Sequence, residues 1–277
     1  VFQRRGLTVR GPQPTSGAAA ALRQRPVALL VGYDGRRYKG LQLQSAPDGG
    51  FLPTVDAELE LALLRAGAIT DDNFGHPGRS AWTHAGRTDA GVSAACNVVA
   101  LRLEVEEDLT ELKEEGVPFA FVERVNAMLP VDIKVHGAAL VAKGFDARAE
   151  GSRRHYSYLL PSYCIMPTLG KVSAELAVLA VPSSEALEDT AAAQAFEATV
   201  GLRGLRIGGP ELALFRRALA SLEGRRFFAN FCASSRRKEL SCGGQDLADP
   251  RAWRHVHACE SSAPFVDERG REWLEVK

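Results

Sequence analysis

The chain has 277 residues, enough for one large domain or two packed lobes, and its 45% hydrophobic content supports a sizeable core. Its 34 basic and 34 acidic residues cancel, which excludes a uniformly basic nucleic-acid binder. No run approaches the ~18 apolar residues of a membrane span, and five cysteines without repeated spacing argue for free thiols rather than a disulfide framework. Charge is unevenly placed: residues 104–115 carry seven acids against Lys113, whereas residues 1–25 carry five arginines and no acid. Any groove for a polyanion is therefore a local patch.

Residues 1–26 mix arginine, glycine, proline, serine and alanine without an apolar period, and read as a flexible basic leader. Arginine without acids also fits a targeting remnant or an RNA-binding arm. The folded body begins at Val27, with Val27 to Tyr33 as a strand and residues 35–40 as a loop. Thr54 is placed to cap a helix that presents Val55, Leu59 and Leu63 on one face and stops at Gly67. A polar loop spans 68–81, and a strand spans 96–103. A helix is expected at 119–129, ended by Pro130, followed by alternation at Val131, Ile133 and Val135. Residues 153–160 alternate too, which puts Tyr156 and Tyr158 on one face.

Residues 161–182 are irregular, and an alanine-rich helix is expected at 184–199. Pro210 opens another helix, with Leu212, Phe215, Leu219 and Leu222 on its inner face and Gly224 beyond it. Strands are expected at 227–233, 254–260 and 271–276. This mixture indicates an α+β fold with antiparallel sheet. His255, His257 and Cys259 share the face of a strand. They lack zinc-site spacing, so no metal is expected, and no cofactor either.

The segment His84-Ala-Gly-Arg-Thr-Asp-Ala-Gly-Val-Ser-Ala94 packs Arg87 and Asp89 among small residues between a polar loop and a strand. Pattern alone allows a structural turn with a salt bridge or a catalytic loop. This segment resembles the active-site motif of TruA-type pseudouridine synthases, whose invariable aspartate falls on Asp89. Tyr33-Asp34-Gly35, Tyr38, Gly40 and Gln42 resemble the family's first motif. Phe145-Asp-Ala-Arg148 with Arg153-Arg-His-Tyr156-Ser-Tyr158 resembles its third. Asn126-Ala-Met-Leu-Pro130 and Val131-Asp-Ile133 match the passage between them. The wording at Ala94–Leu103 and Tyr158–Pro161 is similar to the eukaryotic branch.

The resemblance implies two similar lobes of mainly antiparallel sheet flanked by helices, with an active-site cleft between them. The expected lobes are 27–146, which holds the catalytic aspartate, and 147–277. The second is expected to be incomplete. After Trp273 to Val276 the family continues into a motif whose arginine pairs with the aspartate, and the chain as it stands is expected to turn over weakly or not at all. The implied activity is isomerisation of uridine to pseudouridine in transfer RNA, or in other structured RNA. Asp89 would be the catalytic carboxylate, Arg87 would hold the flipped nucleotide, and Tyr156 would stack on the base. Tyr158 is expected in the core. Arg36, Arg37, Lys39, Arg148, Arg153 and Arg154 are the expected RNA contacts, with Arg236, Arg237 and Lys238 as a further cluster.

The fourth motif matches through Phe228 and Phe231, although Arg226 and Phe227 replace its polar pair. Nucleus and mitochondrion are the compartments the branch implies. Oligomeric state has no signature. A catalytically silent RNA-binding or RNA-folding protein on the same scaffold is the alternative, and a hydrolase lacks a recognisable second carboxylate or Ser-His partner.

Overall fold

The computed structural model describes residues 22–47, 50–106, 119–165, 204–228 and 252–277. The leader up to residue 21, most of the acidic segment, the helix expected at 184–199, Phe231 and the Arg236, Arg237, Lys238 cluster lie outside them. The fold is mixed α and β with antiparallel sheets. Contacts divide it into two compact units, one running to Arg154 and one from His155.

In the first unit β1 (Leu22–Tyr33), β2 (Thr83–His84), β3 (Ala94–Glu106) and β4 (Ile133–Leu140) form a sheet in the order β2-β3-β1-β4. Period-two alternation explains one of its faces. Val27, Leu29, Val31 and Tyr33 of β1 meet Val99, Leu101, Leu103 and Val105 of β3, and Ile133 and Val135 of β4. Two helices cover that face: α1 (Val55–Arg65) through Val55, Leu59 and Leu63, and α2 (Phe119–Asn126) through Phe121, Val122 and Val125. Each fully buried aliphatic side chain contributes roughly 1.5–3 kcal/mol. The opposite face has a smaller cluster of Ala28, Ala100 and Ala147, the last from α3 (Ala147–Glu150). The Ala147 amide also donates to Thr83 Oγ1 at 3.1 Å, which ties α3 to the first unit.

Helix α1 begins and ends as its residue types require. Thr54 Oγ1 accepts from the Ala57 amide at 3.3 Å, and Gly67 takes a φ of +73° just beyond the last turn. Other boundaries move. β1 starts at Leu22, not Val27, because Pro26 is no interruption: it pairs with Arg102, and its carbonyl accepts from Val141. α2 ends at Asn126, where the side chain turns aside to clamp β4. Asn126 Oδ1 accepts from the Val135 amide, and Nδ2 donates to the Val135 carbonyl, both at 2.8 Å. Val131 is not a strand residue. It is fully exposed in the turn before β4, because Pro130 and the turn it starts delay pairing until Ile133.

In the second unit β5 (Tyr158–Pro161), β8 (Phe265–Val266) and β9 (Glu272–Val276) form a three-stranded sheet with β9 central. β6 (Gly224–Phe227) pairs with β7 (Trp253–Val256). The helix α4 (Gly209–Ala220) has Pro210 in its second position, and Leu212, Phe215 and Leu219 share its less exposed side. Leu222 lies past its end. The strand expected at 153–160 is confined to its last residues and extends to Pro161, since only from Tyr158 does the chain pair with β9. Tyr158 is correspondingly not a core residue: 65% of it is exposed. Leu160 opposes the fully buried Leu274 instead.

Candidate active site

The segment around Asp89 is the loop that joins β2 to β3, antiparallel neighbours. Thr83 pairs with Ala100 and His84 with Val99, and the Ala85 amide then donates to Val98 at 2.9 Å. The chain re-enters the sheet at Ala94. There the register of β1 against β3 slips between Val31 and Tyr33, the kind of irregularity that re-aims side chains at sheet ends.

Residues 86–93 are tied down by hydrogen bonds at several points. Thr88 Oγ1 lies 2.8 Å from the Tyr33 hydroxyl, and the Thr88 carbonyl accepts from the Leu41 amide at 3.1 Å. The Gly91 amide donates to the Tyr38 carbonyl at 3.2 Å, and the Val92 amide to the Asp89 carbonyl at 3.2 Å. The buried side chain of Asn97 donates to the Gly86 carbonyl at 2.8 Å. Ser93 Oγ accepts from the Gly35 amide at 3.0 Å. These contacts explain the first motif. A Cβ on Gly35 would stand 2.0 Å from the Val92 carbonyl oxygen, so only glycine admits the loop. Gly40, at φ +109°, lies against the Thr88 carbonyl.

Asp89 and Arg87 are exposed on this anchored loop. They form no ion pair with each other or with other described residues. The geometry thus presents a carboxylate and a guanidinium to solvent on a fixed backbone, an arrangement suited to meeting a bound molecule. A groove of about 510 Å³ lies beside the loop, lined by Tyr33, Asp34, Ser93, Asp132, Lys134 and His136 among others. Asp89 is not among its lining residues.

The expected RNA-contacting residues divide into two groups. Arg36 pairs with Asp34, and the hydrogen bonds and charge of Arg36 hold the Asp34 carboxyl down at about 2. Arg37 pairs with Asp132 at 3.1 Å, the same carboxylate that accepts from the Tyr38 hydroxyl at 2.7 Å. Burial, together with that carboxylate, pushes the Tyr38 phenol well above its ordinary value. Arg154 does not stand free either: its Nε donates to the Ala85 carbonyl at 2.9 Å, and Nη2 donates to the same oxygen. It therefore braces the start of the Asp89 loop. Lys39, Arg148 and Arg153 are exposed, and no side-chain ion pair engages them among the described residues. Tyr156, 73% exposed, belongs to the second unit. No cluster of metal-ligating side chains occurs among the described residues; the rings of His255 and His257 lie with centroids 4.6 Å apart, tilted by 48°.

No protein-family model matches the chain. Curated proteins do. A tRNA pseudouridine synthase 1 of Yarrowia lipolytica is 27% identical over 307 residues, which cover 92% of this chain and 53% of that protein. Its counterpart from Kluyveromyces lactis is 30% identical over 304 residues, covering 92% of this chain and 50% of that protein. A tRNA pseudouridine(27/28) synthase of Saccharomyces cerevisiae is 32% identical over 138 residues, half of this chain and 33% of that protein. The chain is thus similar in sequence to proteins named tRNA pseudouridine synthases. It spans about half the length, or less, of these relatives.

Sequence reasoning named Tyr33, Gly35, Tyr38 and Gly40 as a motif without their role in fixing the loop, and it missed Asn97 and Asp56. Asn97 sits inside an apolar strand, and a lone buried amide there is a signal that a carbonyl needs a donor. Asp56 was hidden as an acid in the first turn of α1, where a carboxylate is usually a solvated partner of the helix dipole. Here it is buried and lies 3.0 Å from His84 Nε2. Its only sequence signal is position, next to the apolar face of the helix rather than opposite it.

Proposed function

We propose that the chain carries out pseudouridine formation in transfer RNA, with Asp89 as the catalytic carboxylate. The observation that carries this reading is the exposed Asp89 on a loop whose backbone is fixed from β1, β3 and the 35–43 segment. The reaction breaks the C1′–N1 bond and forms a C1′–C5 bond. The proton lost from C5 balances the one gained at N1, so neither oxidant nor cofactor is required. A carboxylate can serve as nucleophile or base in such an isomerisation.

Arg87, two residues from Asp89, would hold the flipped nucleotide, and the exposed ring of Tyr156 would stack on its base. Flipping costs a few kcal/mol, part of which stacking returns. In the two-lobed arrangement that the family resemblance implies, Asp89 would act in the cleft. Lys39, Arg148 and Arg153 would contact phosphates, joined by Arg36 and Arg37 where the RNA competes with their carboxylate partners. The nucleus or the mitochondrion would be the compartment.

The test is incubation with unmodified transfer RNA, with pseudouridine read by mass-resolved nucleoside analysis. Wild type should give product. Asp89→Ala should give none, while binding the RNA within about threefold of wild type, since one exposed carboxylate adds little to affinity for a polyanion. RNA binding by both proteins without product from either would favour a silent RNA-binding role.

A further inference from the structure

We propose that the buried Asp56–His84 pair is a positioning device for the Asp89 loop, which gives both residues a role in the reaction without contact to RNA. This inference rests on the proposed pseudouridine-forming activity. His84 is the last residue of β2, just before the loop. Its Nε2 lies 3.0 Å from the Asp56 carboxylate, and the two side chains are only 9% and 7% exposed.

The same carboxylate accepts from the Leu43 amide at 3.3 Å, and the Asp56 amide donates to the Leu41 carbonyl at 2.9 Å. Leu41 in turn donates to the Thr88 carbonyl, one residue from Asp89. A closed circuit results: His84 at the entrance of the loop, Asp56 on α1, residues 41–43, and Thr88 near the loop's tip. Burial pushes the Asp56 carboxyl up, while the His84 hydrogen bond and charge and the Leu43 amide draw it back, so the carboxylate depends on both partners. Such a polar junction is stable in one geometry, and that geometry sets where the loop leaves the sheet. Trp82, its ring centroid 6.4 Å from that of His84, packs on the same side and helps to exclude water.

The test compares His84→Gln, which keeps an N–H donor, with His84→Met, which matches glutamine in size and lacks one. Two measurements are made: single-turnover pseudouridine formation with tRNA affinity, and amide hydrogen exchange at Leu41 and Gly91. His84→Met should slow the reaction about 10- to 100-fold, with affinity within about threefold, because misplaced catalytic groups lose rate before binding. His84→Gln should restore most of the rate. Exchange at Leu41 and Gly91 should accelerate in the methionine variant and not in the glutamine variant. If His84→Met does not fold, Asp56→Asn, which keeps size and an acceptor for Leu43, should show the same slowed rate and faster exchange. Absence of product from the wild type would sink the functional reading and leave the exchange comparison to decide this one. Equal exchange in the two His84 variants, or an Asp56→Asn protein indistinguishable from wild type in exchange and rate, overturns the proposal.

Discussion

Gly35 is where one missing side chain decides the geometry of the whole loop. The Val92 carbonyl occupies the space a Cβ would need, and the Gly35 amide donates to Ser93. Gly35→Ala should therefore displace residues 91–93 and, through Thr88 and Gly91, Asp89 itself. The expected result is a loss of single-turnover rate of about 100-fold, the scale of a 1 Å misplacement, with tRNA affinity nearly unchanged. A parallel fall in affinity would mean that the loop serves binding rather than chemistry. At this scale the sequence marked Asp89 and Arg87 through the resemblance of their segment to a family motif, where pattern alone also allowed a structural turn. It concealed those that work by hydrogen bonding inward. Asn97 and Asp56 carry ordinary letters in ordinary elements, and their role depends on which backbone carbonyl or side chain the fold brings opposite them. Arg154 shows the reverse case, a cation with an inward contact. Its charge reads as a phosphate contact, and the fold adds a hydrogen bond to the Ala85 carbonyl that the sequence did not suggest.

Helix α1 supports the site by packing under it. Leu59 and Leu63 are fully buried against the sheet, and the amides of Val55 and Asp56 in the first turn donate to the Gly40 and Leu41 carbonyls. Leu59→Ala should destabilise the protein by about 2–5 kcal/mol, the cost of an aliphatic cavity in a packed core, read from denaturant midpoints at unchanged slope. A loss below about 0.5 kcal/mol, the size of a typical surface effect, would place α1 outside the cooperative core. This helix was legible because cap, apolar stripe and glycine stop agree. β3 and the core of β1 were legible from their apolar residues, as a continuous run at residues 27–31 and as alternation at residues 101–105. The alternation at 153–160 was deceptive, since a period of two also arises in extended chain without a partner, and pairing begins only where β9 is available. Val131 misled because apolarity was read as burial, whereas the turn after Pro130 leaves it in solvent.

For the whole molecule, zero net charge means that the proposed RNA affinity would come from a few local cations. Lys39 and Arg153 are exposed without ion pairs among the described residues. Replacing both by alanine should reduce the slope of log affinity against log salt by about 1 to 2, in proportion to the phosphates no longer neutralised. An unchanged slope would remove them from the RNA path. The α+β class and the antiparallel sheets were readable from alternating elements. The separation into units at Arg154 and His155 was not, because α3 joins the first unit through one alanine face and one threonine hydroxyl. The central claim, that Asp89 isomerises uridine, is tested most directly with transfer RNA tritiated at uridine C5. Wild type should release tritium in step with pseudouridine formation. Asp89→Asn, which keeps the shape and removes the charge, should release none while still binding the RNA. Tritium release by Asp89→Asn at the wild-type rate would contradict the account.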